Sequence, residues 1–128
     1  MTKEKLPIFD LEEGLRINFG DYRILRDFHD ECYFQSINHR QEVISAFESG
    51  DFAAARDYSY KIYEPTLFAC MPSLRASGKQ LTVAMFGHSS KVSLDDKRKL
   101  GLDFIEEVNR FVDAWPSFRE SQKWPYPD

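Results

Sequence analysis

Apolar residues recur at three- and four-residue intervals through most of this chain, which is the spacing of one buried helix face. No segment shows the alternation expected of a strand. The pattern predicts a short first helix, closed by Gly20, followed by four longer helices at about 21–48, 51–64, 73–86 and 95–115.

Residues that cap helices stand at the starts of these segments. A carboxylate or hydroxyl at the N-cap accepts hydrogen bonds from the free amides of the first turn. The candidate caps are Asp10, Asp21, Asp51 and, for the last helix, Ser93 or Asp95. Gly50 directly before Asp51 gives a helix stop followed at once by a new start, so the third helix should return antiparallel to the second.

Prolines predict where other helices end or begin. Pro65 should kink or end the third helix, and Pro72 can occupy the first turn of the fourth. Residues 87–90 have the composition of a loop. Pro116 should stop the last helix, which leaves residues 116–128 as an extended C-terminal strap with three aromatic residues.

The apolar stripes define a predicted core. They include Ile24, Phe28, Phe52, Ala55, Ile62, Leu74, Leu81, Val83, Phe86, Leu100, Phe104, Val108, Phe111, Val112 and Trp115. Burying these stripes against one another predicts an all-α fold, an antiparallel up-down four-helix bundle with a short N-terminal helix. The 128 residues are enough for one such domain, spanning the whole chain.

Charge and composition restrict the partners. Seventeen basic and twenty-one acidic residues give a net charge of −4, and no basic cluster interleaved with aromatics favours nucleic acid. The charged start MTKEK lacks the apolar run of a signal peptide, and no stretch has the roughly 20 apolar residues of a membrane span. We therefore expect a cytoplasmic protein that binds neither nucleic acid nor membrane, with Cys32 and Cys70 as free thiols in or beside the core.

Candidate catalytic chemistry is sparse. His29, His39 and His88 fall in separate contexts, which does not favour a shared metal or acid–base site. His39-x-x-Glu42 is a fragment of a di-iron motif without its partner, and its two residues are interpreted as surface residues. No serine or cysteine lies in an activating motif, and no glycine-rich phosphate loop is present. We expect no enzymatic activity, no metal and no cofactor.

The third predicted helix has a second face of interest beside its core face. Helical spacing places Arg56, Tyr60, Tyr63, Glu64 and Leu67 along one strip, here called the tyrosine strip. Tyrosine and arginine are the residues favoured at binding hot spots. The strip is either a protein-docking surface or an ordinary surface that covers its own bundle.

The segments FDLEEGLRINFGDYRIL and AFESGDFAAARDYSYKIYE carry a resemblance to a known family. Asp10, Gly20-Asp21 and Gly50-Asp51-Phe52 occur in the order and spacing of the histidine phosphotransfer (HPt) domains of bacterial two-component phosphorelays. The resemblance covers roughly residues 8–70 and extends to the C-terminal half only as further helices. It implies a helical bundle that exchanges phosphate with receiver domains.

The same register removes the activity that the resemblance would imply. The family motif H-x-x-K-G falls on Tyr60-Lys61-Ile62-Tyr63-Glu64, so Tyr60 stands at the acceptor position. A phenol is a poor nucleophile at neutral pH beside an imidazole, and Glu64 repels a phosphoryl group. The resemblance therefore implies a monomeric interaction module that docks a receiver or histidine kinase domain through the tyrosine strip without carrying phosphate.

Two alternatives remain from the sequence. One is an active phosphotransfer protein with a shifted register, for which His29 is the best acceptor because Arg26 precedes it by one turn. The other is a helical bundle that holds a ligand in a pocket lined by Trp115, Phe118, Trp124 and Tyr126. A large apolar cavity between helices would favour the second alternative.

Overall fold

The computed structural model describes residues 6–86 and 92–122, and within these ranges it contains helices and no strand. The helices are α1 Leu11–Ile17, α2 Tyr22–Ser49, α3 Phe52–Tyr63, α4 Thr66–Ala69, α5 Pro72–Phe86 and α6 Leu94–Ser121. The all-α class is therefore confirmed. The loop predicted at 87–90 lies outside the described residues.

The predicted caps hold the starts of the helices. A carboxylate oxygen of Asp10 accepts from the Glu13 amide at 3.0 Å, and Asp51 accepts from the Ala54 amide at 3.1 Å. The caps of α2 and α6 are Asp21 and Ser93. Gly50 ends α2 with a φ of 77°, a conformation that glycine adopts without a side-chain clash.

Four longer helices pack in antiparallel pairs. Along α2 and α3 the contacts run in opposite directions, from Phe47 with Phe52 beside the turn to Cys32 with Ile62 further away. The helix α6 lies along α2 in the same antiparallel sense. The helix α5 packs between α3 and α6, so each of the four contacts two others. None of the described helices has the length and hydropathy needed to cross a bilayer.

Close helix contacts depend on two glycines. A Cβ added at Gly78 of α5 would lie 2.4 Å from the ring of Tyr63, and one at Gly101 of α6 would lie 2.6 Å from the ring of Phe47. Because both positions lack a side chain, an aromatic ring from the neighbouring helix packs directly against the backbone. These contacts set the spacing of α3 with α5 and of α2 with α6.

The predicted core is confirmed for most of its members. The confirmed buried residues are Ala55, Ile62, Leu74, Leu81, Phe104, Val108, Phe111 and Trp115. Ile24 is 41% exposed, Val83 63% and Phe86 51%, so their predicted burial is wrong. The stripes of α2 and α5 are wider than the surfaces that neighbouring helices cover, and these side chains lie at the uncovered edges. The other predicted members, Phe28, Phe52, Leu100 and Val112, are half-buried.

The two cysteines, Pro65 and Pro72 behave as predicted. Both Cys32 and Cys70 are buried free thiols, and burial raises the pKa of Cys32 to about 12. Pro65 follows the end of α3, and Pro72 begins α5. The break limits α3 to 12 residues, against the 15 of α5.

Pro116 does not stop the last helix, which contradicts the predicted strap from residue 116. α6 continues through it to Ser121. Beyond the proline, the Phe118 ring stacks on Phe9 at 4.0 Å between centroids, and Arg119 forms an ion pair with Asp30 at 2.9 Å. These tertiary contacts offset the hydrogen bond that the proline removes. Residues 123–128 lie outside the described part.

Candidate functional site

The tyrosine strip of α3 is only partly exposed. Glu64 is exposed, and the Arg56 side chain is 39% exposed. Tyr60 and Leu67 are half-buried and pack against the core. On the adjoining face Ala55, Ser59 and Ile62 are buried, as the helical spacing predicted.

Tyr63 does not belong to an accessible pair of phenols. The residue is 8% exposed, and its ring lies over Gly78 of α5. The expectation that two neighbouring tyrosines project from the strip is therefore wrong. The other members of the strip, Arg56, Tyr60, Glu64 and Leu67, are at least partly exposed.

The accessible part of the strip continues onto α5. The Tyr60 ring lies 5.5 Å from that of Phe86, and the Arg56 guanidinium lies 5.0 Å from the Phe86 ring centroid. Val83 lies one turn before Phe86, and both side chains are more than half exposed. We call Arg56, Tyr60, Val83 and Phe86 the tyrosine patch. It combines aromatic, aliphatic and cationic groups without a carboxylate of its own, although Arg56 also contacts Asp57 at 3.1 Å.

A concave surface lies on the side of α3 that faces α2, and it includes Glu64 of the tyrosine strip. This groove has a volume of about 400 Å³ and runs between α2 and the α3–α4 segment. Its lining residues are Phe28, Glu31, Gln35, His39, Lys61, Glu64, Pro65 and Phe68. The rings of Phe28 and Phe68 stack at 5.1 Å, and Phe68 is 49% exposed. The groove therefore has an aromatic wall beside two carboxylates.

The polar groups of the groove are arranged by contacts within the chain. Gln35 donates a hydrogen bond from Nε2 to a Glu31 oxygen at 2.8 Å. Lys61 Nζ lies 5.3 Å from the ring centroid of Tyr58, next to His39. Glu31 and Glu64 form no ion pair with any lysine or arginine in the described ranges.

The histidines do not form an accessible phosphoacceptor. His29 is 0% exposed, with the rings of Phe9 and Trp115 5.5 and 4.8 Å away, so it is a core residue. Burial lowers its pKa to about 4, an effect that the Ala69 backbone and the Asp30 carboxylate reduce. Neither ring nitrogen forms a hydrogen bond of normal geometry. A phosphoryl donor cannot reach it in this conformation.

Of the other two histidines, only His39 lies in the described part of the chain. His39 is half-buried, and its ring lies 5.4 Å from that of Tyr58. His88 is outside the described residues. Among the residues that the structure describes, no three His, Cys, Asp or Glu side chains come together as a metal site.

The aromatic residues expected to line a ligand pocket instead form a filled cluster. Trp115 is 1% exposed, and Phe9 from the N-terminal segment packs on both Trp115 and Phe118. The Trp115 indole donates to Asp30 at 3.0 Å. This packing occupies the space in which a ligand would lie. Trp124 and Tyr126, the other two predicted lining residues, lie outside the described part of the chain.

Comparison of the chain with protein-family models, curated proteins and solved structures finds no match. The function of the chain is therefore inferred from its own geometry and from the resemblance of its short motifs.

The sequence located Arg56, Tyr60 and Glu64 on α3 but missed the residues of α2, α4 and α5 that complete the two surfaces. Val83 and Phe86 were assigned to the core, although both are more than half exposed and the Phe86 ring lies beside that of Tyr60. Phe28, Glu31 and Gln35 lie on one side of α2 at helical spacing, which signals a mixed apolar and polar face. Phe68 completes the groove only because the chain turns at Pro65, and no local pattern encodes that proximity.

Proposed function

We propose that this protein is an HPt-like up-down four-helix bundle that acts as a docking module in two-component signalling and does not carry phosphate. The observation that supports it most is the tyrosine patch. At the position where the resemblance places the phosphoacceptor, α3 presents a half-buried Tyr60 between Arg56 and the exposed Phe86. The patch offers contact surface and no imidazole.

Its composition suits a protein partner. Aromatic and arginine side chains supply large contact areas and dominate binding energy at many interfaces. Arg56 provides a cation for the acidic pocket that receiver domains present, while Val83 and Phe86 provide apolar contact. Docking here retains a receiver or kinase domain, or competes with the other partners of that domain, and transfers no phosphoryl group.

Two further features support a role without transfer. His29 is enclosed by aromatic rings, so an acceptor shifted to that position has no route to a donor. Glu64 is exposed one turn after Tyr60 and adds negative charge where an incoming phosphoryl group would approach. Both features oppose phosphotransfer. The Glu64 charge also opposes an acidic receiver pocket, so docking depends on Arg56 and on the apolar part of the patch.

The test is direct binding to purified receiver and kinase domains from the source organism, measured by calorimetry. We expect at least one domain to bind, and Tyr60→Ala and Arg56→Ala each to weaken binding by about tenfold. Tyr58→Ala is the matched control, because Tyr58 lies on the other flank of α3 against His39. Absence of binding to every domain, or equal losses for Tyr58→Ala and Tyr60→Ala, would reject the docking role.

A second measurement addresses phosphate. Incubation with a phosphorylated receiver domain should leave the chain without acid-labile phosphate. Labelling that is lost in His29→Gln, His39→Gln or His88→Gln would show that the protein is an active phosphotransfer domain.

A further inference from the structure

We infer that the groove between α2 and the α3–α4 segment binds the guanidinium group of an arginine side chain from a partner polypeptide. The groove adjoins the tyrosine strip: Lys61 lies about 100° around α3 from Tyr60, and Glu64 lies one turn after Tyr60, whereas Arg56, Tyr60, Val83 and Phe86 do not line the groove. Binding there does not require the docking role proposed for the tyrosine patch.

Charge is the first reason for a cationic ligand. Glu31 and Glu64 both line the groove, and Asp27 is exposed one turn before Glu31 on α2. Lys61 is the only described lysine or arginine that lines the groove, and its ammonium group lies toward the Tyr58 ring. The two lining carboxylates have no ion-pair partner in the described ranges, so they remain available to an incoming cation.

The aromatic wall selects the kind of cation. Phe68 is 49% exposed and stacks on Phe28, which fixes its ring at the edge of the groove. A planar guanidinium can stack on a ring and at the same time donate paired hydrogen bonds to a carboxylate. An ammonium group is a compact, strongly hydrated charge and uses the flat wall less well. The combination of Phe68 with Glu31 and Glu64 therefore favours arginine over lysine.

The groove is also partly organised before binding. Gln35 holds one oxygen of Glu31 through its amide donor, which restricts the rotamers of that carboxylate. The remaining lone pairs of Glu31 can accept from a ligand. Restricting the side chain in advance lowers the entropy lost on binding. The volume of about 400 Å³ accommodates an arginine side chain together with its flanking backbone.

The experiment titrates the ¹⁵N-labelled chain of 128 residues with three acetylated peptides that differ only in a central arginine, lysine or citrulline between glycine and serine residues. Citrulline keeps the shape of arginine without its charge. We expect the arginine peptide to bind with a Kd on the order of 1 mM, with amide shifts concentrated near Glu31, Glu64 and Phe68. Lysine should bind several-fold more weakly, and citrulline should not bind measurably.

Matched variants assign the binding to the groove. Glu31→Gln and Glu64→Gln should each weaken arginine-peptide binding by about tenfold, whereas Glu48→Gln, the same change elsewhere on α2, should have no effect. Phe68→Ala should weaken binding and Phe34→Ala should not, although Phe34 is 60% exposed on α2.

Three results would overturn the proposal. They are equal binding of the citrulline or lysine peptide, shifts that map to the tyrosine patch, and equal effects of Glu31→Gln and Glu48→Gln. Because receiver binding is tested with Tyr60 and Arg56 variants, its failure leaves this experiment unaffected, and the reverse also holds.

Discussion

The end of the bundle around Trp115 and the two flanks of α3 use similar residue types in opposite ways. Around Trp115, the rings of Phe9, Phe118 and His29 pack on one another, and Asp30 receives both the indole and the Arg119 guanidinium. On α3 the aromatic and charged groups are partly exposed. Aromatic content alone therefore does not identify a binding surface, because packing partners decide whether rings stabilise the fold or remain available.

The largest expected effect comes from a comparison of one aromatic truncation in each region. Trp115→Ala should lower the free energy of unfolding by about 4 kcal/mol, through lost burial, a cavity and a carboxylate deprived of its indole donor. Tyr60→Ala should cost about 1 kcal/mol, because the side chain is already half-exposed. Urea unfolding measures both. Equal costs would mean that the two regions are not energetically distinct.

The second test varies the pH and concerns His29, in the end of the bundle around Trp115. The His29 pKa is about 4 in the folded chain and about 6.5 when the chain is unfolded. The unfolded state therefore binds the proton more tightly. Above pH 6.5 the titration of His29 leaves the free energy of unfolding unchanged. Between pH 6.5 and pH 4 it lowers the free energy of unfolding by about 1.4 kcal/mol per pH unit, about 3 kcal/mol in total.

His29→Phe should remove this contribution while it retains a ring in the cluster. The difference in unfolding free energy between wild type and variant, measured from pH 7.5 to 4, isolates the histidine from the carboxylates that also titrate. Parallel loss of stability in the two proteins would contradict the low folded-state pKa.

The smallest expected effect concerns Pro116. Contacts at the end of the bundle around Trp115 keep the helix intact there, although proline favours a helix break. Pro116→Ala restores a helix hydrogen bond at an exposed position and should raise the unfolding free energy by about 1 kcal/mol. Hydrogen exchange at residues 117–121 sharpens the comparison. Phe118→Ala should speed exchange there more in the wild-type background than in Pro116→Ala, whereas equal effects would show that the Phe9 contact does not hold the last turns.

Two prolines show how far the candidate site could be predicted. After Pro65 the chain turns and brings Phe68 to Phe28, whereas at Pro116 the helix continues because Phe118 and Arg119 have partners on other segments. The sequence predicted a break at both. It located Arg56, Tyr60 and Glu64 beside the core face of α3, because helical spacing is local. It could not show that Tyr63 is covered by α5 or that Glu31 lies across a groove from Glu64.

The sequence by itself determined the helical class, the caps at Asp10, Asp21 and Asp51, and the antiparallel return at Gly50. These features depend on hydrogen bonds and backbone conformations within a few residues of one another. The tertiary structure alone decided which apolar edges stay exposed, that His29 is buried without charge, and that α6 extends past Pro116. Each of these depends on side chains brought together from distant parts of the chain, where burial and packing outweigh local preference.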